Sequence, residues 1–137
     1  MSKKQDKNFI NIIAAHPGGE NVLNCFLCGT CTAGCPVSEI DESFSPHQIM
    51  GQIKSAMITQ TLSDGEIWKC QQCHTCVAHC PQDVRFADII RVLRRITISD
   101  GVFESELAEA VRNIDMQAQR QRLTQIKKLL GDSPKGE

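Results

Sequence analysis

Apolar residues recur at helical intervals in three stretches of this chain. In the first, Ser45 precedes Pro46, an N-cap followed by proline at the first helical position. Ile49, Met50, Ile53 and Met57 then return every three or four residues, with Gln48, Gln52, Lys54 and Ser55 elsewhere around the helix. Ser63-Asp64-Gly65 marks a break, and residues 66–69 read as a short helical turn. In the second, Phe86, Ile89, Ile90, Leu93 and Ile96 form one apolar stripe, with Arg85, Asp88, Arg91, Arg94 and Arg95 around the rest. After the Asp100-Gly101 turn signal, a longer third helix is predicted from about Phe103. Its stripe of Leu107, Val111, Ile114 and Ala118 continues with a small shift through Leu123, Ile126 and Leu130. Lys127 and Lys128 suit its C-terminus, Gly131 and Pro134 end it, and the last residues are expected to fray. No segment alternates apolar and polar over a useful length; Ile96-Thr97-Ile98 is β-prone but too short. The pattern predicts a mostly α protein.

Between these stretches lie the cysteines, and they are periodic too. Cys25, Cys28, Cys31 and Cys35 are followed by Pro36; Cys70, Cys73, Cys76 and Cys80 are followed by Pro81. Both quartets read C-x2-C-x2-C-x3-C-P, and the second lies 45 residues after the first at every position. Thr30 matches Thr75 and Ala33 matches Ala78 inside the motifs, while the flanking sequence repeats much less. Three thiolates at this spacing wrap one face of a cubane, and the displaced fourth is followed by a proline that turns the chain away. In two-cluster ferredoxins the fourth cysteine of each run ligates the other cluster. The expected cofactors are therefore two [4Fe-4S] clusters. One is held by Cys25, Cys28, Cys31 and Cys80, the other by Cys70, Cys73, Cys76 and Cys35. Such crossing ties the two motifs together, so the clusters would staple the fold as well as carry electrons. Two helical lobes crossed at the clusters are expected. Structural zinc favours two C-x2-C pairs separated by a longer loop, which this pattern does not follow.

Composition narrows the reading further. The chain has 137 residues, suiting one domain, and a formal net charge of −1, so no strong field points to nucleic acid or a membrane surface. Aromatic residues make up 4%, which argues against an RNA-stacking surface. No apolar run approaches the roughly 20 residues needed to span a bilayer. The charged start, Lys3-Lys4-Gln5-Asp6-Lys7, has no signal-peptide core after it. A cytoplasmic location is expected, or attachment to a membrane through a partner. In a reducing compartment eight cysteines point to metal or redox chemistry before disulfides.

Other residues are weighed against those motifs. Gly29 and Gly34 suit a close approach of backbone to sulfide, or only a tight turn. His74 and His79 lie between ligands of the second motif, but four cysteines leave no vacancy for them, so they read as solvated or as neighbours of the ligands. The arginines after Pro81 form a solvated basic face that also offsets cluster charge or meets a partner. No G-x-G-x-x-G follows a strand, and no catalytic residue is identified. Substrate chemistry is expected on another protein, because clusters by themselves only move single electrons.

The run from Cys25 to Pro36, the stretch Ser45-Pro46-His47-Gln48-Ile49-Met50, the run from Ile67 to Cys76, and Cys80-Pro81-Gln82-Asp83-Val84 with Asp88 to Arg94 together resemble the iron-sulfur C subunit of heterodisulfide reductase. The resemblance covers about Asn24 to Arg95 and is more specific than the cysteine runs alone. It implies an α-helical ferredoxin fold and a complex with two other subunits. One is a flavin- and iron-sulfur-containing subunit; the other is a cysteine-rich catalytic subunit that reduces a disulfide. This chain would relay electrons between them. The alternatives are a free-standing ferredoxin, or the relay subunit of another flavin-linked or membrane-linked oxidoreductase. The implied organisation is an N-terminal extension over 1–20, a two-cluster domain over 21–99, and a C-terminal helix over 100–137 that docks on a partner.

Overall fold

Residues 8–131 are described by the computed structural model of this chain. The expectations for the charged start and for residues 132–137 lie outside them. The chain divides into two compact units, Met1–Phe103 and Glu104–Glu137.

In the first unit, seven helices and two 3-10 turns, at Val22–Asn24 and Glu66–Trp68, follow one another, and no strand occurs among the described residues. The helices are α1 (Phe9–Ala14), α2 (Thr30–Ala33), α3 (Pro36–Ile40), α4 (Pro46–Lys54), α5 (Ile58–Ser63), α6 (Thr75–His79) and α7 (Phe86–Ser99). The hydrophobic core is built on α7, whose Phe86, Ala87, Ile89, Ile90, Val92, Leu93, Ile96 and Thr97 are all buried. The predicted stripe is present, and the buried sector is wider than the stripe, because α1 and the Glu66–Trp68 turn also pack against this helix. Ile49, Met50 and Ile53 of α4 join the core with Val22, Phe44, Leu62 and Ile67. The two buried polar side chains among the described residues bond backbone carbonyls of their own segments. Thr97 Oγ1 donates to Arg94 O at 2.7 Å and Thr61 Oγ1 to Met57 O at 2.8 Å.

Ser45 caps α4 as predicted: its hydroxyl accepts from Gln48 N at 3.2 Å, with Pro46 next in the chain. The stripe does not run on to Met57. Ala56 is left-handed, at φ 56°, which ends the helix, and Met57 is the exposed N-cap of α5. The segment read as an N-terminal extension contributes α1, where Phe9 and Ile13, one helical turn apart, are both buried. Gly19 is indispensable beside it: a Cβ there would sit 2.1 Å from Ile13 O.

The second unit contains α8 (Ser105–Leu130), with Lys127 and Lys128 in its last turn and Gly131 after it. No residue of this helix is buried.

Candidate functional site

The two cysteine motifs repeat in backbone as well as in sequence. Two residues after the leading cysteine, Leu27 and Gln72 are left-handed, at φ 59° and 58°. Each turns its backbone N–H onto that cysteine, so Leu27 N donates to Cys25 Sγ and Gln72 N to Cys70 Sγ, both at 3.4 Å. Two residues further, Gly29 (φ 81°) and His74 (φ 61°) are left-handed again and start α2 and α6. Non-glycine residues in this region cost of order 1–3 kcal/mol each, so Leu27, Gln72 and His74 are held there by the surrounding turns. Threonines follow at matching places. Thr30 Oγ1 lies 3.2 Å from Cys28 Sγ, and Thr75 Oγ1 lies 3.3 Å from Cys73 Sγ. Cys35 and Cys80 are extended, the former leading into α3 through Pro36, and Val84 N donates to Cys80 Sγ at 3.4 Å.

Helices α2 and α6 pack on each other, and Gly34 faces Thr75 across that contact. This brings the motifs together around two hollows. Cys25, Cys28 and Cys31 line the first together with Cys80 from the other motif. Cys70, Cys73 and Cys76 line the second together with Cys35. Cys76 also borders the first hollow, and Phe86 of α7 borders both. Met50 and Val84 complete the wall of the first, Phe44 and Val37 that of the second. All eight predicted ligands therefore reach one of two apolar hollows. Among the described residues no group of three or more His, Cys, Asp or Glu is arranged to hold a single metal ion. Thiol donors spread around a cavity, with N–H groups aimed at their sulfurs, suit a multinuclear cluster.

The thiols differ in acidity. Burial pushes Cys76 up to about 11, and burial also raises Cys31 and Cys70. The Thr30 hydroxyl holds Cys28 below the ordinary thiol range. Burial works against Cys73, yet hydrogen bonds with Thr75 and Gln71 hold it below that range too.

Several residues that the sequence did not single out support the motifs. Arg94 of α7 donates from Nη2 to Cys70 O at 2.7 Å and from Nε to Ile67 O at 3.0 Å, and its guanidinium lies 5.1 Å from the Trp68 ring centre. Lys54 of α4 donates to Cys25 O at 2.6 Å. His47 bonds to Leu27 O through Nε2 at 3.0 Å, and its backbone N donates to Thr32 Oγ1 at 2.8 Å. Gln72 donates from Nε2 to Ala87 O at 3.1 Å and to Cys70 Sγ at 3.4 Å. The repeat offered one signal, the Thr30–Thr75 match; the others depend on folding that no local pattern announces. Among the described residues no helix is long and apolar enough to cross a membrane.

Comparison with known proteins agrees with this geometry. Residues 21–84 match the 4Fe-4S dicluster domain family. The chain is 34% identical over 107 residues to the C2 subunit of the H(2)/formate:CoB-CoM heterodisulfide,ferredoxin reductase of Methanococcus maripaludis, covering 73% of this chain and 57% of that relative. It is 34% identical over 96 residues to the C subunit of the H(2):CoB-CoM heterodisulfide,ferredoxin reductase of Methanothermobacter thermautotrophicus, covering 70% and 51%. It is 30% identical over 96 residues to the iron-sulfur C subunit of the CoB–CoM heterodisulfide reductase of Methanopyrus kandleri, covering 70% and 47%. The chain thus spans about half the length of these relatives. Residues 21–84 are similar to 4Fe-4S dicluster domains, and over about 70% of its length the chain is similar to the heterodisulfide reductase C subunits.

Proposed function

We propose that this chain is the electron-relay subunit of a heterodisulfide reductase-like complex. It takes single electrons from a flavin- and iron-sulfur-containing subunit and passes them to a cysteine-rich subunit that reduces a disulfide. Two [4Fe-4S] clusters serve the relay, one held by Cys25, Cys28, Cys31 and Cys80, the other by Cys70, Cys73, Cys76 and Cys35. The observation that carries this reading is the lining of the two hollows, in which each trio of cysteines meets the fourth cysteine of the other motif. The names of the relatives, all C subunits of heterodisulfide reductases, supply the complex. The family match over residues 21–84 supports the cluster type.

The ligand set is tested on anaerobically purified protein. About eight iron and eight acid-labile sulfide per chain are expected from two four-iron cubanes. Cys35→Ser is expected to disturb the electron paramagnetic resonance signal of the centre held by Cys70, Cys73 and Cys76. A Cys35→Ser protein that disturbs only the other centre would overturn the crossed assignment. Native mass spectrometry of the complex tests the partners. Recovery of a flavoprotein and a cysteine-rich subunit supports the relay, and an isolated, redox-active monomer supports a free-standing ferredoxin instead.

A further inference from the structure

The two halves of the site repeat closely, so the places where they differ are informative. Both leading cysteines accept a backbone N–H from the residue two places on, and both second cysteines lie beside a threonine hydroxyl. Each leading cysteine also has its carbonyl bonded by a cation, Lys54 for Cys25 and Arg94 for Cys70. The symmetry breaks in two places. Val84 N donates to Cys80 Sγ at 3.4 Å, on the fourth ligand of the first-motif cluster. The residue two places after the leading cysteine also differs. In the first motif it is Leu27, whose side chain has no donor. In the second it is Gln72, whose carboxamide N–H2 bridges Ala87 O at 3.1 Å and Cys70 Sγ at 3.4 Å.

The Ala87 carbonyl fixes the orientation of this amide. A carbonyl only accepts, so the nitrogen of Gln72 must face it, and that same nitrogen then reaches the sulfur. Gln72 is half-buried and its backbone is left-handed, which keeps both its backbone and its side-chain donors on one thiol. The cations add to the difference in the same direction. Arg94 is half-buried against Trp68, whereas Lys54 is exposed and its charge is more strongly screened by water. Each set contains one exposed cysteine, Cys28 or Cys73, and the second also contains the buried Cys76, whose burial works against added charge and in the opposite direction to these donors.

Reduction adds one negative charge to a cluster and its thiolates. Donors aimed at a ligand sulfur stabilise that added charge and raise the reduction potential. We propose that Gln72, together with the half-buried Arg94, outweighs the Val84 N–H on Cys80, so that the cluster held by Cys70, Cys73, Cys76 and Cys35 has the higher potential and holds the first electron. The chain would then have an internal direction: with both clusters bound, an electron arriving at the first-motif cluster would pass to the second-motif cluster, oxidising the first by one electron and reducing the second by one, with no proton transferred. Gln72 is here a tuning residue and not a ligand. The inference rests on the two-cluster reading above.

The test is an anaerobic redox titration of the full-length protein with dithionite and mediators, followed by electron paramagnetic resonance. Wild type is expected to titrate in two one-electron steps. Gln72→Leu, which copies the first motif, is expected to move the higher step to more negative potential and leave the lower step in place. Gln72→Asn, one methylene too short to bridge Ala87 and Cys70, is expected to do the same. The proposal is overturned if full-iron variants titrate like wild type, or if only the lower step moves. It is also overturned if both variants lose a cluster, since Gln72 would then hold the site together instead of tuning it. A wild-type protein with about four iron would sink the two-cluster reading itself, an outcome the iron count separates from a failed shift.

Discussion

Arg94 shows how much one side chain can tie together. It carries two hydrogen bonds to backbone carbonyls on either side of Trp68 and stacks over that ring, so α7 grips the entry to the second motif. Removing it leaves Ile67 O and Cys70 O without this donor, and hydrogen bonds to charged groups are worth roughly 1.5–3 kcal/mol. Arg94→Ala is expected to lower the unfolding free energy by about that amount in denaturant titration. Arg94→Lys is expected to recover only part of it, because an ammonium cannot reproduce the planar fork. The thiols give a pH-dependent prediction in the cluster-free protein. Thiolates are the reactive form, so iodoacetamide at neutral pH is expected to label Cys28 and Cys73 first, read by peptide mass spectrometry. Cys76 is expected to stay unlabelled until the pH approaches about 11. The sign for stability follows. Cys76 keeps its proton longer when folded than when unfolded, so its contribution is complete below the ordinary thiol range and is lost as pH rises through about 11. None of these roles was legible in the sequence. Arg94 reads there as one more member of a basic face, and Gln72 as filler between cysteines. Their partners lie 24 residues away for Arg94 and Cys70, and 15 for Gln72 and Ala87.

At the scale of elements, legibility followed length. The 14 residues of α7 give four turns in which to read a stripe, and its apolar positions are buried as the period predicts. Ser45-Pro46 was legible because the cap chemistry is local: a hydroxyl and a fixed φ suffice to start α4. Its end was not, because Ala56 adopts a left-handed conformation that alanine does not announce. Helix α1 has only six residues, too few to show a period, and its Phe9–Ile13 pair is buried by tertiary packing. Two substitutions weigh these elements. Ser45→Ala removes the bond to Gln48 N and also the 3.3 Å contact with Thr32 Oγ1, the hydroxyl that accepts from His47 N. It is expected to cost about 1 kcal/mol, and thermal unfolding measures it. Ile90→Ala, at a fully buried position of α7, is expected to cost about 2–5 kcal/mol through lost transfer energy and the cavity left behind. A loss under about 1 kcal/mol would mean that α7 does not organise the core.

For the molecule as a whole, the division after Phe103 separates the cysteines from α8. All eight cysteines, both hollows and every buried residue of the core lie before it. A chain ending at Phe103 is therefore expected to keep the visible absorbance and iron content of the full-length protein. If the relay reading holds, it is expected to lose co-purification with its partners, because α8 exposes Ile114, Met116, Leu123 and Leu129. A truncated chain that still co-purifies would place docking elsewhere. The two-motif plan was legible because a 45-residue repeat of four cysteines is a pattern in one dimension. The inequality of the halves was not, since it depends on what α7 brings against them.

The shared lining of the hollows also sets a timetable for biosynthesis. The first hollow needs Cys80, and the second needs both Cys35 and Cys76. A ribosome that has made only the first motif has therefore finished neither receptacle. With the crossed ligand sets proposed above, inorganic loading would wait until Cys80 has emerged, and both receptacles would then close within a few residues of each other. A translation arrest between the motifs would release a fragment unable to keep either metal centre.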